Sequence, residues 1–427
     1  MSLLEELEWR GLVHQKTAED FGEVLEQGPI TLYNGYDPTG SSLHCGHLLP
    51  LTLMKHFARA GHKVIALVGG GTGQIGDPSG KSTERNLQDV AATRRNADAL
   101  LAQITRFLAT PDNPPSYVNN EEWLGSMGLL EFLRDTGKHF SVNAMIHKDS
   151  VKSRLERDGE GISFTEFSYS LLQARDYLEL HRRYGCTLQT GGSDQWGNIV
   201  AGVELIRRVE GARAFGLTVP LLTNSDGKKF GKSEKGAVFL DPALTSPYRF
   251  YQFWVNTADE DVVRYLKLFT FLPRTEIDAL AGDVGSGART AQKKLAWLMT
   301  EAVHGAEEAD KAVRASEVLF GGDIQGLPLA VLEEIFADVP AIDIAADRLA
   351  DDGVSVLDLL VETGACSSRG DAKRQVQQGA VKLNGGAVPA PAEAGAEPRL
   401  GRDGFLEGRV LVIRRGKRNT YLVRIAG

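Results

Sequence analysis

Two histidines three residues apart, His44 and His47, and a basic run far down the chain, Lys228-Lys229-Phe230-Gly231-Lys232-Ser233, are the side chains best suited to handling an anion. The histidines close the segment YNGYDPTGSSLHCGH, residues 33–47. It leaves an apolar extended run at Ile30 and Leu32, crosses the turn-rich Asp37-Pro38-Thr39-Gly40-Ser41-Ser42 and enters an apolar helical pattern from Leu48 to Ala60. A strand, a polar loop and a helix start turn unpaired backbone N–H groups outward, which suits phosphate. Imidazoles add donors without a fixed charge, and Gly46 is read as letting a bulky ligand approach the backbone. A glycine-containing loop with lysines suits closure over a triphosphate, where its charge strengthens in the transition state. Each stretch alone has a plainer reading: a capped βα connection, and an exposed basic loop.

A third set lies on one helix. Ser163-x-x-Glu166 opens a helical pattern that stops at Gly185. Within it Tyr169, Gln173 and Asp176 fall at i, i+4 and i+7, on one face. This stripe is either a solvated face or the lining of a pocket for a small polar molecule, and spacing does not choose. Upstream, GGGTGQIGDPSGKS contains two decoys. Gly71-x-Gly73-x-x-Gly76 runs into Asp77-Pro78 where a dinucleotide fingerprint must open a helix, and Gly76-x-x-x-Gly80-Lys81-Ser82 is one residue short of a P-loop. What remains is a glycine loop that approaches a ligand and presents Asp77.

These loops need a frame. Val64–Val68 is a continuous apolar run typical of a central parallel strand. Thr187-Leu188-Gln189-Thr190 reads as a strand entering the loop Gly191–Gly197 before a helix over 198–209, and Leu217–Leu222 as another strand. The alternation predicts an α/β fold with a doubly wound, Rossmann-like parallel sheet, ligands meeting at the carboxyl ends of its strands. Residues 1–28 and 86–149 are expected to be largely helical, and the apolar Met127–Ile146 suits core packing or an interface. Helices are expected again from 248 to about 320, a connecting segment over 321–353, and two helices and two hairpins after 354. The expected domains are 1–225 (catalytic), 226–325 (basic loop and helices), 326–353 (linker) and 354–427 (small α+β).

Composition narrows the function classes. The 427 residues carry a net charge of −8, yet residues 354–427 hold 12 Lys+Arg against 7 Asp+Glu, leaving +5 there and −13 elsewhere. An acidic body with a basic tail is expected where nucleic-acid contact is local. Cys45, Cys186 and Cys366 are widely spaced and form no CxxC pair, arguing against a disulfide framework and a structural zinc. No apolar run spans a membrane and the acidic N-terminus is unlike a signal peptide, so a cytoplasmic protein is expected.

Together the two anion-handling stretches resemble the HIGH and KMSKS signatures of class I aminoacyl-tRNA synthetases. Tyr33, Gly35, Asp37, Pro38 and Thr39 are similar to the tyrosine-specific bacterial family, and the tail, with Arg369, Lys373 and Arg374 clustered on its second helix, resembles an S4-like RNA-binding module. The resemblance implies joining of L-tyrosine to ATP, with Mg²⁺ on the triphosphate and no bound zinc, then transfer to tRNA(Tyr) by a homodimer. It implies that Tyr33 and Asp176 bond the substrate phenol and that Tyr169, Gln173 and Asp77 hold its ammonium, with Gln189 in the same pocket. It assigns His44 and His47 to ATP phosphate and ribose, and Lys229 and Lys232 to pyrophosphate, with Lys81 and Arg85 assisting. Gly35, Asp37, Thr39, Gly192, Asp194, Gln195 and Ser233 would complete the nucleotide pocket. Asn34 and Cys45 depart from the family pattern. The competing readings are a tryptophan-specific relative and a catalytically silent RNA-binding one.

Overall fold

The computed structural model describes residues 1–79, 89–148, 151–152, 155, 161–227, 230–233, 236–318, 324, 327–337, 339–350, 353–389, 396–416 and 419–426, with Lys232 and Ser233 as backbone alone. The chain forms two compact units, Met1–His304 and Gly305–Gly427.

The first unit is built on six strands, β1 (Gln15–Lys16), β2 (Thr31–Tyr36), β3 (Lys63–Val68), β4 (Ser116–Asn119), β5 (Cys186–Gly192) and β6 (Phe215–Val219), in the order β1-β6-β5-β2-β3-β4. All neighbours run parallel except β1 against β6. The chain steps outward from β2 through β3 to β4, then returns to lay β5 on the other side of β2. That reversal opens a crevice at the carboxyl ends of β2 and β5. The apolar run in β3 is buried on both faces, as a central parallel strand requires.

Four helices cover this sheet: α1 (Leu48–Arg59), α2 (Val90–Leu108), α3 (Phe164–Tyr184) and α4 (Trp196–Glu210). The α1 helix is buried nearly all round, and Pro50 sits in its first turn, where a missing N–H costs least. Ser163 caps α3 by accepting from the Glu166 N–H, and Gly185 ends it at φ 63°. Tyr177 of α3 lies against Gly202 of α4, where a Cβ would sit 2.8 Å from the ring.

Several expectations need correction. Residues 1–28 are not one helix: Gly11 at φ 80° closes Leu3–Arg10, β1 follows, and a second helix spans Phe21–Glu26. Within 86–149 lies the edge strand β4, which Pro114 and Pro115 lead into with extended backbone. The helices Pro247–Val255, Asp259–Phe269 and Thr290–His304 belong to the first unit rather than standing apart from residue 226. One reason is Arg10, 3% exposed, which donates to the carbonyls of Lys267, Thr270 and Leu272.

In the second unit, helices Val356–Glu362 and Arg369–Gln377 contribute Leu357, Leu360 and Ala372 to a core shared with Val381, Leu411, Ile413 and Val423 of a five-stranded sheet. Asn384 (φ 48°) and Gly385 (φ 83°) make the tight hairpin turn the sequence signals. The segment 326–353 is more than a linker. It holds the helix Leu329–Ile335 and the strand Ala341–Ala345, which pairs parallel with Asn419–Ala426. Its partner lies some 80 residues away, and only Ile344 of the strand is fully buried, so local pattern gives little sign of it.

Candidate active site

The closed end of the crevice is set by β2 and β5. Tyr33 and Gln189 are directly paired across these strands, and the Tyr33 ring meets Tyr177 of α3 at 5.3 Å. Asp176 projects from α3, 2% exposed, and accepts from Asn120 Nδ2 at 2.8 Å and Trp123 Nε1 at 2.7 Å. Burial pushes its carboxyl up to about 8 against the pull of those two donors. Burial, then Asp176, raises the Tyr33 phenol well above its ordinary range, so it stays a neutral donor. Tyr33 Oη and Gln189 Oε1 are buried without a hydrogen-bond partner among the described residues. A phenol fits here: its hydroxyl can donate to Asp176 and accept from Tyr33. Asn120 and Trp123 were not foreseen. They follow β4, and reading that region as helical hid the strand end that carries them to the pocket.

One strand step outward, Gly35 lies on the same face as Tyr33 and is exposed, although β2 is a central strand. That exposure marks the open floor of the cleft, ~7 Å along the strand from Tyr33. Beyond it Asp37 accepts from Tyr169 Oη at 2.7 Å and from Thr72 Oγ1 at 2.7 Å. Expected in the nucleotide pocket, Asp37 thus has its carboxylate turned to the Tyr169 side. Gln173 is half-buried with Oε1 unpartnered among the described residues. Asp77, 7% exposed, accepts from Gln195 Nε2 at 2.6 Å and from the Ser79 N–H at 2.9 Å. The stripe of Tyr169, Gln173 and Asp176 is therefore turned inward and is not a solvated face.

The glycine loop has a different purpose from the one expected. A Cβ on Gly69 would lie 2.1 Å from Asp37 Oδ1, one on Gly70 2.3 Å from Asn119 Oδ1, and one on Gly73 2.8 Å from Pro38. These glycines make room for protein side chains. Gly46 is a parallel case, because a Cβ there would meet the His44 ring at 2.8 Å.

The histidine loop joins β2 to α1. His44 Nδ1 accepts from the Gly46 N–H and His47 Nδ1 from the His44 N–H, both at 3.1 Å. An imidazole accepting at Nδ1 carries its proton on Nε2 when neutral, so that nitrogen is the donor each ring can offer a ligand. His47 is held neutral, its pKa lowered to about 3 by burial and then by His44. The rings lie 4.0 Å apart between centroids.

The segment bearing the basic loop pairs with the histidine loop. His44 bridges Phe239, the Cys45 N–H donates to the Val238 carbonyl at 2.9 Å, and the Leu240 N–H to the Leu43 carbonyl at 2.8 Å. Gly231, at φ 82°, lies so close that a Cβ would be 3.3 Å from the Gly46 nitrogen. Phe230 is buried against Phe253, Trp254, Tyr265 and Phe269. Lys232 and Ser233 pair with Gly236–Ala237 through their backbone. Lys81, Arg85 and Lys229 lie outside the described residues. Gly192 ends β5, Asp194 and Gln195 follow it at the same end of the sheet, with Asp194 exposed, and Thr39 is exposed after β2.

In the second unit, Arg369 is paired with Asp358 at 2.5 Å and Glu397 at 2.6 Å, Arg374 with Asp371 at 3.5 Å, and Lys373 is exposed.

Comparison with known proteins agrees with this geometry. Residues 25–321 match the family model for class I tRNA synthetases (W and Y), and residues 331–423 that for the tyrosine–tRNA ligase SYY-like C-terminal domain. The chain is 50% identical over 434 residues to a tyrosine–tRNA ligase of Geobacillus stearothermophilus, covering all of both chains. It is 49% identical to one of Rhodopirellula baltica over 99% of this chain and 96% of that one. A C-terminally truncated mitochondrial tyrosyl-tRNA synthetase of Aspergillus nidulans superposes with a TM-score of 0.68 at 34% identity, over 75% of this chain and 94% of that one. The crevice at the strand-order reversal, the paired signature loops and these full-length matches lead to one assignment: the chain belongs to the class I tRNA synthetases of the tryptophan and tyrosine type, among their tyrosine–tRNA ligases.

Proposed function

We propose that the cleft from Tyr33 past Gly35 to the histidine loop joins L-tyrosine to ATP, giving tyrosyl-adenylate and pyrophosphate, and then passes tyrosine to the 3′ end of tRNA(Tyr). The observation that carries this reading is the unpartnered Tyr33 hydroxyl beside a doubly held Asp176, at the foot of a cleft rimmed by both signature loops. In the first step a tyrosine carboxylate oxygen attacks the α-phosphorus while its bond to the bridging oxygen breaks. The carboxylate is already a nucleophile, so no base is needed and catalysis rests on alignment and charge neutralisation. In the second step a terminal ribose hydroxyl of the tRNA attacks the activated carbonyl and AMP leaves.

Residue by residue, Tyr33 and Asp176 bind the phenol, with Gln189 behind them. Tyr169, Gln173 and Asp77 receive the ammonium, Tyr169 braced by Asp37. His44 and His47 donate from Nε2 to phosphate and ribose, and Gly35, Thr39, Gly192, Asp194 and Gln195 seat the nucleotide. Lys229, Lys232 and Ser233 reach the leaving pyrophosphate, with Lys81 and Arg85 assisting. Mg²⁺ supplies charge neutralisation on the triphosphate, with which it arrives while keeping several waters. The exposed Asp194 carboxylate is the kind of oxygen donor such an ion accepts.

The helices between Pro247 and His304 and the second unit contact the tRNA. Lys373 and Arg374 are the more available cations there, since a phosphate at Arg369 must displace two carboxylates. A homodimer is supported by Leu129, Leu130, Leu133, Val142 and Phe164, exposed by 72%, 81%, 47%, 60% and 76% and close together in sequence. A tRNA substrate and three free, buried cysteines suit the cytoplasm. The test is pyrophosphate exchange into ATP with tyrosine, phenylalanine and tryptophan in turn. Tyrosine-dependent exchange is expected; exchange with tryptophan instead, or none from folded protein, would replace this reading.

A further inference from the structure

Between the two ends of the amino-acid pocket runs a continuous set of buried hydrogen bonds, and one residue with no assigned role stands at its centre. Thr72, 2% exposed, donates from Oγ1 to Asp37 Oδ1 at 2.7 Å and accepts from Asn120 Nδ2 at 2.9 Å. The same Asn120 nitrogen donates to Asp176 Oδ2 at 2.8 Å, and Asp37 Oδ2 accepts from Tyr169. The direction of every bond is fixed. The Gly71 N–H donates to Asn120 Oδ1 at 2.8 Å, so the carboxamide must turn its NH₂ toward Thr72 and Asp176. The Thr72 oxygen then receives one proton from Asn120 and has only its own left to give, which goes to Asp37. The packing around this bond needs glycine beside it: a Cβ on Gly69 would stand 2.3 Å from Thr72 Oγ1 and 2.1 Å from Asp37 Oδ1.

We infer that Thr72 is a positioning and specificity-determining residue. Its hydroxyl locks Asn120 so that Asp176 meets the substrate as an acceptor, and it holds Asp37 so that Tyr169 presents its oxygen to the ammonium. One side chain thereby sets the register between the phenol end and the amino end. The carboxyls of Asp37 and Asp176 are thus joined through one hydroxyl and one carboxamide, Asp37 accepting from Thr72 and Asp176 from Asn120. The inference rests on Asp176 being the phenol site.

The experiment compares Thr72→Val, which keeps the shape and removes the hydroxyl, with Thr72→Ser, which keeps the hydroxyl. Each is measured by pyrophosphate exchange, with active sites titrated to count folded enzyme. Thr72→Val is expected to raise the tyrosine KM about tenfold and narrow tyrosine-over-phenylalanine discrimination about tenfold, with the ATP KM unchanged. Thr72→Ser is expected to restore both. An unchanged tyrosine KM and discrimination in Thr72→Val, a parallel rise in the ATP KM, or a serine variant as impaired as valine would each overturn the inference. Asp176→Asn separates the two claims: if it leaves discrimination intact, the phenol-site reading fails. If it abolishes discrimination while Thr72→Val does not, only the role of Thr72 fails.

Discussion

At the residue scale, the roles proposed for Asp176 and His44 each make a distinct prediction. Burial pushes the Asp176 carboxyl up to about 8, so it is largely protonated at neutral pH, and the protonated form is the poorer acceptor for a phenol. The tyrosine KM should therefore rise as pH falls below about 8, a limb absent from Asp176→Asn, when exchange is followed between about pH 6 and 9. Replacing His44 by alanine would remove the Nε2 donor proposed to reach the reacting phosphate. Its loss should cost about 10²- to 10³-fold in kcat with little change in KM, read from single-turnover adenylate formation.

Two elements have consequences that no single side chain explains. The segment after Phe230 is tied by backbone to the histidine loop, and Gly231 occupies a left-handed conformation against Gly46. Gly231→Ala should shift one loop against the other and lower the exchange kcat by on the order of 10²-fold, with the tyrosine KM preserved because Tyr33 and Asp176 stand on other elements. Helix α1 holds His56, 6% exposed, whose imidazole is pushed down to about 3 chiefly by burial and then by Arg10 and Arg59. The unfolded chain takes up that proton near pH 6.5. The stability is thus fully present above that pH and is lost as pH falls toward 3, by ~1.4 kcal/mol per pH unit. Urea denaturation at about pH 7 and pH 5 should show the parent losing about 2 kcal/mol more than His56→Met.

For the whole molecule, the division of labour is between an acidic body and a basic tail. Because the strand Ala341–Ala345 belongs to the sheet of the second unit, a clean truncation must start before it. Deleting the second unit, residues 305–427, should spare tyrosine-dependent exchange and weaken tRNA charging; equal loss of both would argue against separate roles. Introducing a charge among the exposed side chains of Leu129, Leu130 and Leu133, as in Leu130→Asp, should shift the proposed dimer to monomer in sedimentation velocity, since an aspartate in such a contact would be buried without a partner.

The sequence by itself determined the parallel sheet around Val64–Val68, the long helix from Ser163 to Gly185, and the family, through the signature stretches that hold Tyr33, His44 and His47. Each depends on local pattern or residue type: an apolar run, a cap, a left-handed glycine, a donor spaced from a loop. The tertiary structure alone decided that Gly69, Gly70 and Gly73 make room for side chains, and that Asn120 and Trp123 brace Asp176. It also decided that Thr72 stands between the two ends of the pocket, and that a segment read as a linker supplies an edge strand. Those facts depend on contacts between residues tens or hundreds of positions apart. Such contacts are paid for by burying the whole core rather than by any local preference, so they leave no period, cap or turn in the chain to be read.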